Sequence, residues 1–138
     1  MAQNSQISTL KDQLNKAKND NTRTNLFIAI SRAYLRTSPA TAFGFAENAL
    51  ELAKKSNFAQ GAGRALNQLG LVAFQTGDYA NATNYFLKAL KINEQLDYKS
   101  GVANTFGYLA RVYTQQRSYQ QAIGYHTKAL KIRALLKD

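Results

Sequence analysis

Residues 66–90 read LNQLGLVAFQTGDYANATNYFLKAL, two apolar stripes parted by one short break. Leu66, Leu69, Gly70, Ala73 and Phe74 fall at i, i+3, i+4, i+7 and i+8, the spacing that gathers side chains on one face of a helix. Thr76-Gly77-Asp78 interrupts the pattern, and Asp78 is placed to accept backbone hydrogen bonds as an N-cap. Tyr79, Ala82, Phe86, Ala89 and Leu90 then resume it. No segment alternates with the two-residue period of a strand, so the stretch reads as two antiparallel helices joined by a tight turn.

The arrangement recurs every 40 residues. Ala42, Ala82 and Ala122 align, as do Phe45, Tyr85 and Tyr125, then Ala49-Leu50, Ala89-Leu90 and Ala129-Leu130. The units are 19–58, 59–98 and 99–138, and about a third of positions are identical between the last two. Ser38 and Ser118 stand where Asp78 does, as caps, and Pro39 takes the first helical position, where its missing N–H costs nothing. Phe58 and Tyr98 are expected to plug the turns between units. Ahead of them Ile7, Leu10, Leu14 and Ala17 mark an amphipathic helix that would cap the first hairpin. The spacing predicts an all-α chain of seven helices, at about 5–18, 20–36, 39–56, 60–76, 79–96, 100–116 and 119–137.

Leu69-Gly70, Gly77-Asp78-Tyr79, Ala82, Phe86 and Ala89-Leu90 together resemble the signature of the tetratricopeptide repeat, with Leu66 where that family often carries Trp. The unit exceeds the usual length of about 34 residues, which places the chain with the long-helix variant. The resemblance covers residues 19–138 and implies a right-handed α-solenoid of about three helix-turn-helix hairpins behind an N-terminal helix. Small residues belong where paired helices cross: Gly70 and Ala110 on first helices, alanines at 42, 82, 122, 49, 89 and 129 on second helices. Ile30 breaks the pattern and predicts looser packing in the first hairpin.

The chain carries 18 Lys and Arg against 8 Asp and Glu, a formal charge of +10, with no Cys and one Pro. Without Cys there is neither disulfide nor thiolate ligand. The basic residues are spread out, with no block longer than Lys54-Lys55, as on a solvated face. A surface for nucleic acid or another polyanion is the alternative reading, favoured by net charge alone. No apolar run approaches the roughly 20 residues needed to cross a bilayer. Catalytic, metal-binding and cofactor-binding sets are absent. His126 stands in the place of Phe86 and reads as an aromatic core position, Glu47 and Glu51 read as solvated surface, and Gly61-Ala62-Gly63 follows no strand and serves close packing.

What remains is a surface for a protein or peptide. In stacked hairpins of this kind the first helices line the concave side. The resemblance therefore assigns a groove to Phe27, Ser31 and Tyr34, to Asn67, Leu71 and Phe74, and to Gly107, Tyr108, Arg111 and Gln115. Aromatic, amide and guanidinium groups suit an extended peptide, offering apolar contact and hydrogen bonds to its backbone. Some members of the family grip the free carboxylate of a chaperone tail with Lys/Asn and Asn/Arg pairs. At the matching positions, Phe27 and Ser31, Asn67 and Leu71, Gly107 and Arg111, only Arg111 fits, so that use is not expected. Lys88, Lys91, Lys128 and Lys131 lie on second helices, away from the groove, which argues against nucleic acid there.

The stretch 10–20, with Asn25-Leu26 and Ser38-Pro39-Ala40, resembles bacterial repeat regions ahead of sensor kinases or transcription-regulator domains. That implies the sensory or scaffolding part of a larger signalling protein, periplasmic in preference to cytoplasmic, with Ala2-Gln3-Asn4 as the start of a mature chain. On the last helix Tyr119, Ile123, Leu130, Leu135 and Leu136 are expected to face a missing neighbour. The chain is therefore expected to be a fragment of a longer protein, ending at Asp138 where a further unit would begin. In isolation it is expected to pair with a second copy through its last hairpin.

Overall fold

The computed structural model describes residues 2–137. Met1, and Asp138 where the last predicted unit ends, lie outside the described residues. Seven helices follow one another: α1 (Ala2–Lys16), α2 (Asp20–Tyr34), α3 (Pro39–Lys55), α4 (Ala59–Gln75), α5 (Tyr79–Gln95), α6 (Lys99–Gln115) and α7 (Tyr119–Lys137). Among the described residues there is no strand. Every predicted helix is present, α1 being displaced toward the N-terminus of its predicted span.

The hairpins α2–α3, α4–α5 and α6–α7 stack through α3 on α4 and α5 on α6. The backbones of the first helices also approach one another, α2 to α4 and α4 to α6, whereas among the described residues those of α3, α5 and α7 stay further apart. This asymmetry curves the stack, with α2, α4 and α6 on its inner side. α1 packs on α2 and buries Ile7.

Within a hairpin the helices meet over small residues. Ala42, Ala49, Ala82, Ala89 and Ala129 are at most 1% exposed. A Cβ on Gly70 would lie 2.4 Å from the Phe86 ring, so only glycine admits the phenyl group there.

The first hairpin departs from the predicted register. Its connection is one residue shorter: Ser31 and Ala42 are 11 positions apart where Gly70 and Ala82, and Ala110 and Ala122, are 12 apart, and the Ser38 N–H bonds back four residues to Tyr34 where the later turns bond back five. α2 is displaced by one residue, so Ser31 aligns with Gly70 and Ala110, and Ile30 with the core leucines Leu69 and Leu109. Ser31 is buried and its hydroxyl donates to the Ala42 carbonyl across the hairpin at 2.6 Å. The looser packing expected from Ile30 is not found, since Ile30 is completely buried.

The four turns that follow α3, α4, α5 and α6 share one closure. Asn57, Gly77, Asp97 and Arg117 adopt left-handed backbone, with φ of 55°, 80°, 51° and 62°. Each is followed by a residue whose N–H bonds back five residues: Phe58 to Ala53, Asp78 to Ala73, Tyr98 to Asn93, Ser118 to Tyr113. These bonds satisfy carbonyls that a helix end leaves open. Phe58 and Tyr98 then fold over Gly61 and Gly101, filling the turns as predicted; a Cβ at either glycine would sit 2.4 or 2.5 Å from the ring. Asp78 caps α5, accepting from the Asn81 N–H at 3.2 Å. Ser38 does not cap α3: its hydroxyl pairs with Thr41 Oγ1 at 2.7 Å, and the helix opens on Pro39. Asn19, unpredicted, caps α2 through the Thr22 N–H.

Left-handed backbone costs an ordinary L-residue about 1–2 kcal/mol, least for Asn and Asp. Arg117→Gly is therefore expected to stabilise the domain by about 1 kcal/mol, read as a raised urea midpoint; an unchanged midpoint would show the turn to be unstrained. Ala82→Leu is expected to destabilise by about 1–3 kcal/mol through overpacking of the α4–α5 crossing. A wild-type midpoint for this variant would mean that the crossing has room.

Candidate functional site

Where the inner helices α4 and α6 meet, the concave side opens into a cleft of about 150 Å³. Asn67, Gln68 and Leu71 line it from α4, and Asn104 and Tyr108 from α6. Arg32 and Arg64 reach its edge from α2 and α4. Asn93 enters from α5 through the slot that two glycines leave: a Cβ on Gly63 would lie 2.8 Å from its Oδ1, and one on Gly101 3.0 Å from its Cγ. The Asn93 side chain is thereby 2% exposed.

The lining is rich in carboxamides and carries no carboxylate. Gln68 is 2% exposed, and its Nε2 amide nitrogen has no hydrogen-bond partner within the protein. Asn67 Oδ1 already accepts from Thr105 Oγ1 at 3.2 Å, and Arg64 donates to Asn25 Oδ1 at 3.0 Å. The positive character reaches Tyr98, whose phenol is held below the usual tyrosine value, first by Ser100 and then by Arg64, both favouring the ionised oxygen. A buried unpaired donor is costly, so this cleft calls for an oxygen acceptor from outside the chain.

Of the predicted groove residues, Asn67, Leu71 and Tyr108 come together here. Tyr108 stacks on Phe86 at 5.3 Å and fixes the cleft wall. Arg111 is exposed nearby, its guanidinium over the Phe74 ring at 5.0 Å, and Gly107 joins a neighbouring hollow with Arg111. Phe74 itself is half-buried against Tyr79. Ser31 is a correction: it lies inside the first hairpin, because the connection shorter by one residue shifts it into the crossing. Phe27 and Tyr34 are half-buried against Phe45, Tyr34 stacking on it at 5.9 Å while its hydroxyl accepts from Lys11 Nζ at 2.9 Å. Gln115 is exposed and lines none of this cleft.

Sequence reasoning missed Arg32, Arg64, Gln68, Asn93 and Asn104. Gln68 carried a signal, a polar residue immediately before Leu69-Gly70 on the buried stripe. His126, expected in the core, is exposed, because the face that α6 covers on α5 is uncovered on α7. Among the described residues no three His, Cys, Asp or Glu side chains converge as for a metal ion. None of the described helices is long and apolar enough to cross a membrane.

Comparison with known proteins agrees with this architecture. BtubC (BKLC) of P. vanneervenii superposes with a TM-score of 0.77 at 21% identity, over 92% of this chain and 54% of its own. The TPR domain of Arabidopsis FLU gives 0.74 at 23% identity, over 87% of this chain and 100% of its own. The apo form of RapI gives 0.79 at 19% identity, over 99% of this chain and 40% of its own. At these identities the likeness is one of fold, and the chain spans about half the length of BtubC and less of RapI. No curated protein matches the sequence. The family model described as tetratricopeptide repeat matches residues 61–134, more than half of the chain. With three stacked helix-turn-helix hairpins, the chain belongs to the tetratricopeptide repeat family.

Proposed function

We propose that this repeat domain is a protein-interaction module whose α4–α6 cleft takes an extended, acidic segment of a partner. The buried, unpaired Gln68 amide nitrogen carries the reading. An extended segment brings backbone carbonyls, the acceptors that Gln68 lacks, and its Asp or Glu side chains meet the Arg32 and Arg64 guanidinium groups at the edge. Leu71 and Tyr108 supply apolar contact between them. In the same reading the domain is the sensory or scaffolding part of a larger bacterial signalling protein, supported by the likeness of residues 10–20 to repeat regions ahead of such effectors.

Peptides selected from a random display library on the immobilised domain are expected to be rich in Asp and Glu. Leu71→Asp with Arg64→Glu is expected to weaken them at least tenfold while leaving the helical circular-dichroism signal unchanged. Peptides without acidic bias, bound equally by the double variant, would move the site elsewhere. Gln68→Leu is expected to stabilise the free domain by about 1–3 kcal/mol, by removing the unpaired donor, and to weaken peptide binding. A lowered denaturation midpoint would show that ordered water already satisfies the amide.

A further inference from the structure

α7 repeats α5 in sequence but not in surroundings. α6 covers the outer strip of α5, where Phe86 is 1% exposed under Tyr108 and Asn93 is 2% exposed. On α7 the same strip is open: Tyr119, Ile123 and Leu130 are 57%, 63% and 64% exposed. Helical spacing aligns these three on one line with His126 and Arg133. Leu135 and Leu136, expected to share that face, are exposed but turn away from it by the same spacing.

Two replacements say what fits the strip. At the positions of Phe86 and Asn93, which a neighbouring helix buries on α5, α7 carries His126 and Arg133. Both line a hollow of about 360 Å³ with Asn104, Gly107, Tyr108 and Arg111. Arg133 reaches Asn104 Oδ1 at 3.5 Å. Residues 119–137 contain Lys128, Lys131, Arg133 and Lys137 and no Asp or Glu. A neutral helix packed here as α6 packs on α5 would bury a guanidinium without a counter-charge, which is costly. A second copy of this chain would set these basic residues against themselves.

We propose that the outer face of α7 docks an acidic amphipathic helix of a partner. Its apolar stripe covers Tyr119, Ile123 and Leu130, and its carboxylates enter the hollow to meet Arg133, Arg111 and His126. The hollow adjoins the α4–α6 cleft and shares Asn104 and Tyr108 with it, but the apolar strip lies outside the cleft, and the proposal does not depend on the reading of that cleft.

Two synthetic helical peptides test it, one with a leucine stripe flanked by Glu and a twin with Lys for every Glu, titrated against the full chain by fluorescence anisotropy. The acidic peptide is expected to bind at least tenfold tighter than its twin, to lose affinity at least tenfold in Ile123→Asp, and to yield preference to the twin in Arg133→Glu. That reversal is a gain of binding, which misfolding does not produce. Equal binding of both peptides, or acidic-peptide binding indifferent to Ile123→Asp, overturns the proposal. Binding lost in Gln68→Ala but kept in Ile123→Asp overturns it by placing the peptide in the cleft. Dimers seen by light scattering and dissolved by Ile123→Asp overturn it in favour of a second copy.

Discussion

The contact of Phe86 with Gly70 sets the geometry on which the central hairpin depends. With no side chain at 70, α4 and α5 approach until the phenyl ring rests on helix backbone, and any Cβ there would have to push them apart. That approach brings Asn93, two turns further along α5, into the slot beside Gly63 and Gly101. It also leaves the other face of the Phe86 ring for Tyr108, so the next hairpin is positioned by the same side chain. Crossing, stacking and cleft are thus one packing problem. Interiors this close-packed transmit a change in volume rather than absorb it.

The fold was largely legible, since repetition tests each assignment more than once. Tyr79, Ala82 and Ala89 each have counterparts 40 residues on, and a pattern that agrees in two units is hard to mistake. The register of α2 was not legible. Its connection to α3, shorter by one residue, changes no hydrophobic period, and Ile30 is as plausible in a core as Leu69. Only the hydrogen bond from Ser31 to Ala42 and the closure of Ser38 on Tyr34, four residues back, reveal the displacement.

The candidate site was legible only in part, for a different reason. Asn67, Leu71 and Tyr108 lie on first helices, where the family resemblance directs attention. Asn93 lies on a second helix and reaches the concave side only because glycines on two other helices make room, a relation among three segments that spacing along one helix does not encode. Arg32 enters the lining through the displaced register. His126 was misplaced because a repeat position predicts burial only when the neighbouring hairpin is there to cover it.

Charge gives this surface its direction. With 18 basic against 8 acidic residues and one ion pair, Lys99 to Asp97 at 3.3 Å, among the described residues, most cations here have no carboxylate of their own. The central claim is that the cleft holds an unpaired donor awaiting an external acceptor. The direct measurement is the side-chain amide signal of Gln68 in a ¹⁵N spectrum, followed as a glutamate-rich peptide is added. The account predicts a saturable shift of that signal, with slowed hydrogen exchange, accompanied by Asn93 and Asn104. A Gln68 signal that stays fixed while the peptide binds elsewhere, on the outer lysines of α5 and α7, would contradict it.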